Sequence, residues 1–125
     1  IEHRICHIGW IDGEQKAAFL KDTMINVLPS YNEGLPMTIL ETMAYGIPNI
    51  STRIASIPEV LEDEENGFLL TPGDVDLLSQ RLEQLISDSE LREKFSEKSW
   101  KLINERFALE KHMETVEEYI SECLG

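Results

Sequence analysis

The chain is poor in cysteine, in long apolar runs and in basic residues, and each shortage excludes a class of protein. Its two cysteines, Cys6 and Cys123, are too few for a disulfide framework and indicate a reducing cytosolic setting, although one bridge between them is compatible with the count. No apolar run approaches the roughly 18 residues that span a bilayer. Lys and Arg number 11 against 24 Asp and Glu, so the cationic clusters needed for nucleic-acid binding are missing.

The chain is nevertheless long enough to fold around a core of its own. Its 125 residues are 42% hydrophobic, which suits one domain that buries a sizeable fraction of its surface. The formal net charge of −13 is opposed to anionic lipid as well as to nucleic acid, so we expect no direct membrane contact from this segment. The first residue is Ile1 and not Met, and we therefore expect a piece of a longer protein.

Short apolar runs alternate with amphipathic segments in the first half of the chain. Strands are predicted over residues 4–9, 24–28, 47–51 and 67–70, and helices over residues 13–22, 36–45 and 57–61. Ala17, Ala18 and Phe19 are expected to face inward from the first of these helices. Strands that are apolar on both faces and separated by helices pair in parallel through right-handed crossovers. The prediction is therefore an α/β fold, a Rossmann-like three-layer α/β/α sandwich with a parallel sheet.

After residue 73 the pattern becomes purely helical. Asp74 and Asp88 are predicted to cap two successive helices. The inward stripes expected of these helices are Val75, Leu78, Leu82, Leu85 and Ile86, then Leu91, Phe95, Leu102 and Ile103. A third helix is predicted from apolar residues spaced four and three apart, namely Leu109, Met113, Val116, Ile120 and Cys123. The acidic residues are interpreted as the solvated faces of these helices.

A loop with unusual composition follows the predicted strand over residues 24–28. Ligands of open α/β sheets bind at the carboxyl ends of the strands, which is where this loop lies. Pro36 suits the first position of a helix, and Gly34 allows a ligand to approach the backbone closely. The amides of Gly34, Leu35, Met37 and Thr38 are therefore predicted to form an anion site at the helix start, one that fits a diphosphate.

Two carboxylates flank this predicted anion site. Glu33 precedes it in the loop, and Glu41 follows eight residues later, two turns into the helix. The spacing by itself is weak evidence, because four Glu pairs of this spacing occur in the chain. The first pair differs from the others because it straddles a predicted strand–loop–helix junction with glycine and proline between its members.

These residues belong to a set of motifs that resembles a known enzyme family. The motifs are Pro29-Ser30-x-x-Glu33-Gly34-x-Pro36, Glu41-x-Met43-Ala44-x-Gly46-x-Pro48, Ile57-Pro58-Glu59-Val60, Asn66-Gly67-Phe68-Leu69-Leu70 and Pro72-Gly73-Asp74. Together they resemble the carboxyl-terminal half of retaining glycosyltransferases of family 4, which have the GT-B fold. The resemblance extends from Gly9 to about Tyr119.

The resemblance implies a nucleotide-sugar donor site and assigns roles within it. Glu33 would be the catalytic-site residue that contacts donor-sugar hydroxyls, and the amides from Gly34 to Thr38 would cradle the diphosphate. Glu41 would accept hydrogen bonds from the ribose 2′ and 3′ hydroxyls. Trp10 and Ile11 would lie near the base. As side chains in their own right, Trp10 and Trp100 are interpreted as packing anchors in preference to stacking platforms. Neither a metal ion nor a cofactor is required beyond the nucleoside-diphosphate sugar, which is the donor substrate.

The reaction implied is transfer of a hexose to an acceptor hydroxyl with retention of the anomeric configuration. The resemblance further implies that residues 1–125 are the donor-binding half of the enzyme, that the acceptor domain is absent, and that the fragment alone is inactive. A saccharide or lipid-linked acceptor would bind through the missing domain, in bacterial polysaccharide or lipopolysaccharide biosynthesis. The expected location is the cytoplasm, with a peripheral position at the inner face of the plasma membrane open to the full-length protein.

The sequence departs from the family pattern at several positions. Ala55-Ser56 stands where Gly-Gly is usual, Asn49 stands where an aliphatic residue is common, and the Arg and Lys that neutralise the diphosphate would lie upstream of Ile1. Two alternatives stay open at this level. One is another GT-B enzyme such as a sugar-nucleotide epimerase, and the other is a non-catalytic α/β module that binds an anion or a protein partner.

Overall fold

A computed structural model describes residues 2–30 and 37–109 of the chain. A 3-10 turn at Glu2–Arg4 is followed by alternating helices and strands. The elements are α1 (Gly13–Lys21), β1 (Asn26–Leu28), α2 (Met37–Ala44), β2 (Asn49–Thr52), α3 (Ile57–Val60), β3 (Gly67–Leu70), α4 (Val75–Ser87) and α5 (Ser89–Leu109). From residue 13 to residue 109 the predicted order of helices and strands is confirmed.

The three strands form one parallel sheet in the order β1-β2-β3. Every residue of β2 and of β3 is buried, as expected for parallel strands covered on both faces. Helices connect the strands, because parallel neighbours cannot be joined by a tight hairpin. The predicted α/β fold with a parallel sheet is confirmed.

The sheet has two faces with separate cores. On the face covered by α2, which we call the α2 face, the core also receives residues from α3 and from the carboxyl-terminal part of α5. This core consists of Ile39, Met43, Ile57, Val60, Leu61, Leu69 and Ile103. On the opposite face, which we call the α4 face, the core consists of Ile50, Phe68, Leu70, Leu85 and Phe95. Neighbouring residues of β3 therefore enter different cores, as the alternation of side chains along a strand requires.

The predicted caps of α4 and α5 are both present. The Asp74 carboxylate accepts a hydrogen bond from the Leu77 amide at 3.1 Å, and the Asp88 carboxylate accepts one from the Leu91 amide at 3.0 Å. The stripe predicted for α4 is correct only in part. Val75 is 71% exposed and Ile86 is 55% exposed, and Leu77 packs against the core of the α4 face instead. The stripe predicted for α5 is confirmed, with Phe95 and Ile103 buried.

The amino-terminal predictions are the least accurate. Residues 4–9 do not form a strand, and their apolar side chains Ile5 and Ile8 are exposed. A strand would turn these two residues to opposite faces, and both would be buried only if the strand paired with the sheet, which here consists of β1, β2 and β3. Helix α1 forms as predicted, but Phe19 is 49% exposed and Ala18 is exposed, which leaves Ala17 half-buried. Helix α1 therefore packs against the rest of the fold through a small part of its surface.

Two further predictions concern tryptophan and the end of the chain. Trp10 is 90% exposed and Trp100 is 56% exposed, so neither is the packing anchor predicted from the sequence. Leu109 belongs to α5 and ends it, while the other residues predicted to form a third helix lie outside the described residues. No helix among residues 2–30 and 37–109 has the length and apolarity to cross a membrane.

Candidate functional site

The loop predicted to hold an anion leaves the sheet at its carboxyl edge and is anchored there by β2. The Ser51 hydroxyl donates to the Leu28 carbonyl at 2.9 Å, and the Thr52 hydroxyl donates to the Ser30 carbonyl at 2.6 Å. Both acceptors lie where β1 ends and the loop begins. Two consecutive side chains of β2 therefore fix the start of this loop, even though they project to opposite faces of the sheet.

A buried polar network ties α2 to the first two strands. Asn26 of β1 donates to the Asn49 side-chain oxygen at 2.6 Å, and the Thr42 hydroxyl of α2 lies 3.1 Å from the same oxygen. The Asn49 amide nitrogen donates to the Ile47 carbonyl at 3.1 Å. Asn49 is fully buried, and each of its polar atoms has a partner. The departure at Asn49 thus has a structural reason, because its side chain joins α2, β1 and β2.

Glu41 projects from the second turn of α2, next in sequence to Thr42. Its carboxylate oxygen Oε2 lies 2.6 Å from the Lys16 Nζ atom of α1, and the Glu41 side chain is 25% exposed. Sequence reasoning missed Lys16 because the contact is tertiary and joins two residues, on different helices, that are 25 positions apart in the chain. The signal that could have found it is local, since Lys16 is a basic residue in a strongly acidic chain, close to the predicted base-binding residues Trp10 and Ile11.

The structure places part of the predicted donor site on one helix. Met37 and Thr38 begin α2, and Glu41 follows four and three residues later, so the three side chains lie on neighbouring positions of its surface. Met37 is half-buried and Thr38 is exposed. The remaining loop residues of the prediction, Glu33, Gly34 and Leu35, lie outside the described residues.

The two residues predicted to lie near the base precede α1 directly. Trp10 is exposed and Ile11 is half-buried, and α1 begins two residues later at Gly13. Lys16 lies in the first half of the same helix and contacts Glu41. The segment predicted to bind the base and the helix predicted to bind the ribose are thus connected through Lys16.

A small cleft lies at the carboxyl edge on the α4 face, beside the start of the loop predicted to hold an anion. Its volume is about 220 Å³, and it is lined by Pro29, Thr52, Leu70, Thr71, Gly73, Asp74, Val75 and Leu78. Ligand pockets in proteins usually measure about 300–1,000 Å³, so the cleft bounded by these described residues is smaller than a typical ligand pocket. The described residues contain no group of three or more His, Cys, Asp and Glu side chains that could hold a metal ion.

Comparison with known protein families settles the relationship. The family described as "Glycosyl transferases group 1" matches residues 1–102. The chain belongs to the group 1 glycosyl transferases. The matched range contains the whole sheet, the polar network, Lys16 and Glu41.

Individual relatives agree with this membership. The chain is 33% identical over 111 residues to the N-acetyl-alpha-D-glucosaminyl L-malate synthase of Bacillus anthracis, covering 89% of this chain and 29% of that protein. It is 30% identical over 110 residues to the lipopolysaccharide core biosynthesis glycosyltransferase LpsE of Rhizobium meliloti, covering 88% of this chain and 32% of that protein. The chain therefore spans about a third or less of the length of these curated relatives.

A solved structure supports the same assignment of the fold. The carboxyl-terminal domain of the group 1 glycosyl transferase LpcC from Francisella tularensis is similar, with a TM-score of 0.73 and 33% identity. The match covers 80% of this chain and 52% of that one. The Rossmann-like α/β fold of this glycosyl transferase chain is therefore that of a carboxyl-terminal domain of the family.

Proposed function

We propose that this chain is the donor-binding half of a retaining, family 4 glycosyltransferase that transfers a hexose from a nucleoside-diphosphate sugar to an acceptor hydroxyl. The observation that carries the proposal is the position of Glu41. It projects, partly exposed, from the second turn of α2, whose amino terminus lies at the carboxyl edge of the parallel sheet. Membership of the group 1 glycosyl transferases supports the same assignment.

The chemistry of Glu41 suits a ribose. A carboxylate has two acceptor oxygens and can take hydrogen bonds from both hydroxyls of a cis-diol at once. Hydrogen bonds to an ionised acceptor are also stronger than bonds between neutral groups. Glu41 is therefore proposed to accept from the ribose 2′ and 3′ hydroxyls, with Trp10 and Ile11 near the base.

The start of α2 suits a diphosphate. Amides in the first turn of a helix have no partner within the helix, and the helix dipole adds positive potential there. In the proposed site the amides of Gly34, Leu35, Met37 and Thr38 face the phosphate oxygens. As the glycosidic bond breaks, negative charge grows on the leaving diphosphate, so these donors stabilise the transition state more than the bound donor. Glu33 is proposed to contact the sugar hydroxyls and orient the ring.

The family relationship supports a proposal for the acceptor and the pathway. The curated relatives cover acceptors as different as malate and the lipopolysaccharide core, by their names. We propose an acceptor of saccharide or lipid-linked type in bacterial polysaccharide or lipopolysaccharide assembly, bound through a separate domain and reached from the cytoplasmic side. On this proposal the isolated 125-residue chain binds donor weakly and transfers no sugar.

A calorimetric titration of nucleoside diphosphates tests the donor-site proposal. UDP, GDP and ADP are titrated into the full-length protein, into Glu41→Ala and into Glu105→Ala, a matched control in which a different lysine-paired glutamate on α5 is removed. Losing hydrogen bonds to a charged acceptor costs about 1.5–3 kcal/mol, so Glu41→Ala should weaken the binding nucleotide by at least about tenfold. Unchanged affinity in Glu41→Ala would reject the ribose assignment and favour a non-catalytic α/β module.

The role of Glu33 is tested by kinetics. Glu33→Ala should retain most of the affinity for the nucleoside diphosphate, because its proposed contact is with the sugar alone. Turnover of the nucleotide sugar should fall by at least about a hundredfold, the loss typical of removing a group that positions a reacting centre. Full transferase activity in this variant would remove Glu33 from the site.

A further inference from the structure

Lys16 and Glu41 form an ion pair between two helices, and the proposed function assigns no role to its cationic partner. The Lys16 Nζ atom lies 2.6 Å from Glu41 Oε2, with the two side chains 43% and 25% exposed. The carboxylate belongs to the helix that the buried network of Asn26, Asn49 and Thr42 fixes on the sheet. The lysine belongs to α1, which buries no residue fully.

The pair contributes little to stability. Exposed ion pairs gain little net energy, because water screens the charges and two long side chains lose conformational freedom. Its position is more informative than its strength. Among the described residues, Lys16 is the cation paired with Glu41, and this pairing holds a carboxylate that would otherwise rotate freely about its last torsion angles.

We propose that Lys16 is a positioning residue that orients the Glu41 carboxylate toward the ribose of the donor. This inference rests on the proposed function, since it gives Glu41 the ribose as its ligand. Lys16 occupies one acceptor site on Oε2, and a carboxylate offers about four such sites, so Oε1 and the remaining site on Oε2 are free to accept from two hydroxyls. The lysine also offsets the charge of Glu41, which would otherwise repel the diphosphate bound at the start of the same helix.

The discrimination between ribose and 2′-deoxyribose measures this role directly. A correctly oriented Glu41 prefers UDP to 2′-deoxy-UDP, and GDP to 2′-deoxy-GDP, because the deoxy compounds lack one donor to the carboxylate. A hydrogen bond to a charged acceptor corresponds to at least about a tenfold preference in dissociation constant. A residue needed only for folding would change the affinity for both members of a pair alike.

The experiment uses calorimetry on the full-length protein with four variants. Lys16→Met removes the cation and Lys16→Arg keeps it, while Lys21→Met removes a positive charge from the same helix at an exposed position. Glu41→Ala removes the acceptor itself. We expect Lys16→Met to reduce the ribose preference to about threefold or less. Lys16→Arg should keep most of the preference, and Lys21→Met should leave it unchanged. Thermal unfolding checks that each variant is folded.

The outcomes separate this inference from the proposal on which it rests. A Lys16→Met variant with the wild-type ribose preference would overturn the inference alone, provided that Glu41→Ala has lost the preference. Equal weakening of UDP and 2′-deoxy-UDP by Lys16→Met would also overturn it. A Glu41→Ala variant with the wild-type preference would overturn the ribose assignment, and wild-type protein that binds none of UDP, GDP and ADP would contradict the proposed donor site.

Discussion

The two faces of the sheet are built from different kinds of contact. On the α4 face, Phe68 and Phe95 meet edge to face with ring centroids 5.1 Å apart, and the Arg81 guanidinium lies 4.6 Å from the centroid of Phe68. On the α2 face, the buried residues include Thr42, Asn49 and Ser51, which hydrogen-bond to one another or to the backbone of β1 and α2. One face is closed by aromatic packing, and the other contains a polar network.

This difference separates stability from position. Apolar burial is strong and non-directional. The apolar core of the α4 face therefore stabilises the fold without fixing the orientation of any one polar group. Hydrogen bonds depend on distance and angle, and a satisfied buried network rigidifies the elements that it joins. The helix that carries Glu41 is the one held by such a network. This helix is thus held by directional contacts, whereas on the α4 face Thr52 makes one such contact, to the start of the loop.

The largest expected effect comes from breaking the α4 face. Phe68→Ala removes a fully buried ring and both of its aromatic and cationic contacts. Truncation of a buried Phe costs about 3–5 kcal/mol, which should appear as a lower midpoint of urea denaturation. Phe68→Leu, which keeps much of the volume, should cost less and should leave nucleotide affinity at the wild-type value. A loss of ribose preference in Phe68→Leu would contradict the separation of the two faces.

A smaller effect with a different signature is expected from the α2 face. Asn49→Leu leaves the half-buried Asn26 amide without its acceptor, so the cost should lie toward the lower end of the about 1–3 kcal/mol of a fully buried unsatisfied donor. The double variant Asn26→Leu/Asn49→Leu should recover much of that stability in urea denaturation, because both polar partners are replaced. Nucleotide affinity should stay reduced in both variants, since α2 has lost its directional contact. Wild-type affinity in the stable double variant would show that the network does not position the site.

The smallest effect is expected at the loop between β2 and α3. Ala55 has φ 48°, in the left-handed region that favours glycine. The backbone strain of about 1–2 kcal/mol for a non-glycine residue is partly offset by the greater flexibility of unfolded glycine, so Ala55→Gly should stabilise the protein by about 0.5–1 kcal/mol. Ala18→Gly, at an exposed position in α1, should instead destabilise it. A decrease in thermal stability for Ala55→Gly would refute the strain.

Local patterns predicted most of the fold because they follow from the period of each element. The strand at residues 67–70 and the caps at Asp74 and Asp88 depend on a few adjacent residues, and they are correct. The spacing of apolar residues predicts Val75 in the core, but in the structure it lies at the start of α4 and is 71% exposed. The strand predicted at residues 4–9 is wrong because this segment pairs with none of the described strands, so Ile5 and Ile8 have no layer to cover them.

The candidate site could be predicted only in part for a similar reason. Glu41 was found because it lies in a recognisable motif along the chain. Lys16 and Asn49 act on it, or on its helix, through contacts between residues distant in sequence. The identity of Asn49 marked it as unusual, but only the positions of Asn26 and Thr42 explain why asparagine is there. Motifs thus locate the ligand-binding groups, and tertiary structure shows what orients them.

Hydrogen–deuterium exchange of the full-length protein, with and without saturating UDP-glucose or GDP-mannose, tests most directly whether the donor binds on the α2 face. When a nucleotide sugar is bound, the backbone amides of peptides from the start of α2 and from α1 should exchange hydrogen for deuterium more slowly. The donor either covers these amides or stabilises the Lys16–Glu41 contact. Peptides from α4 should be unchanged. Protection of α4 with none at α2 would contradict the account.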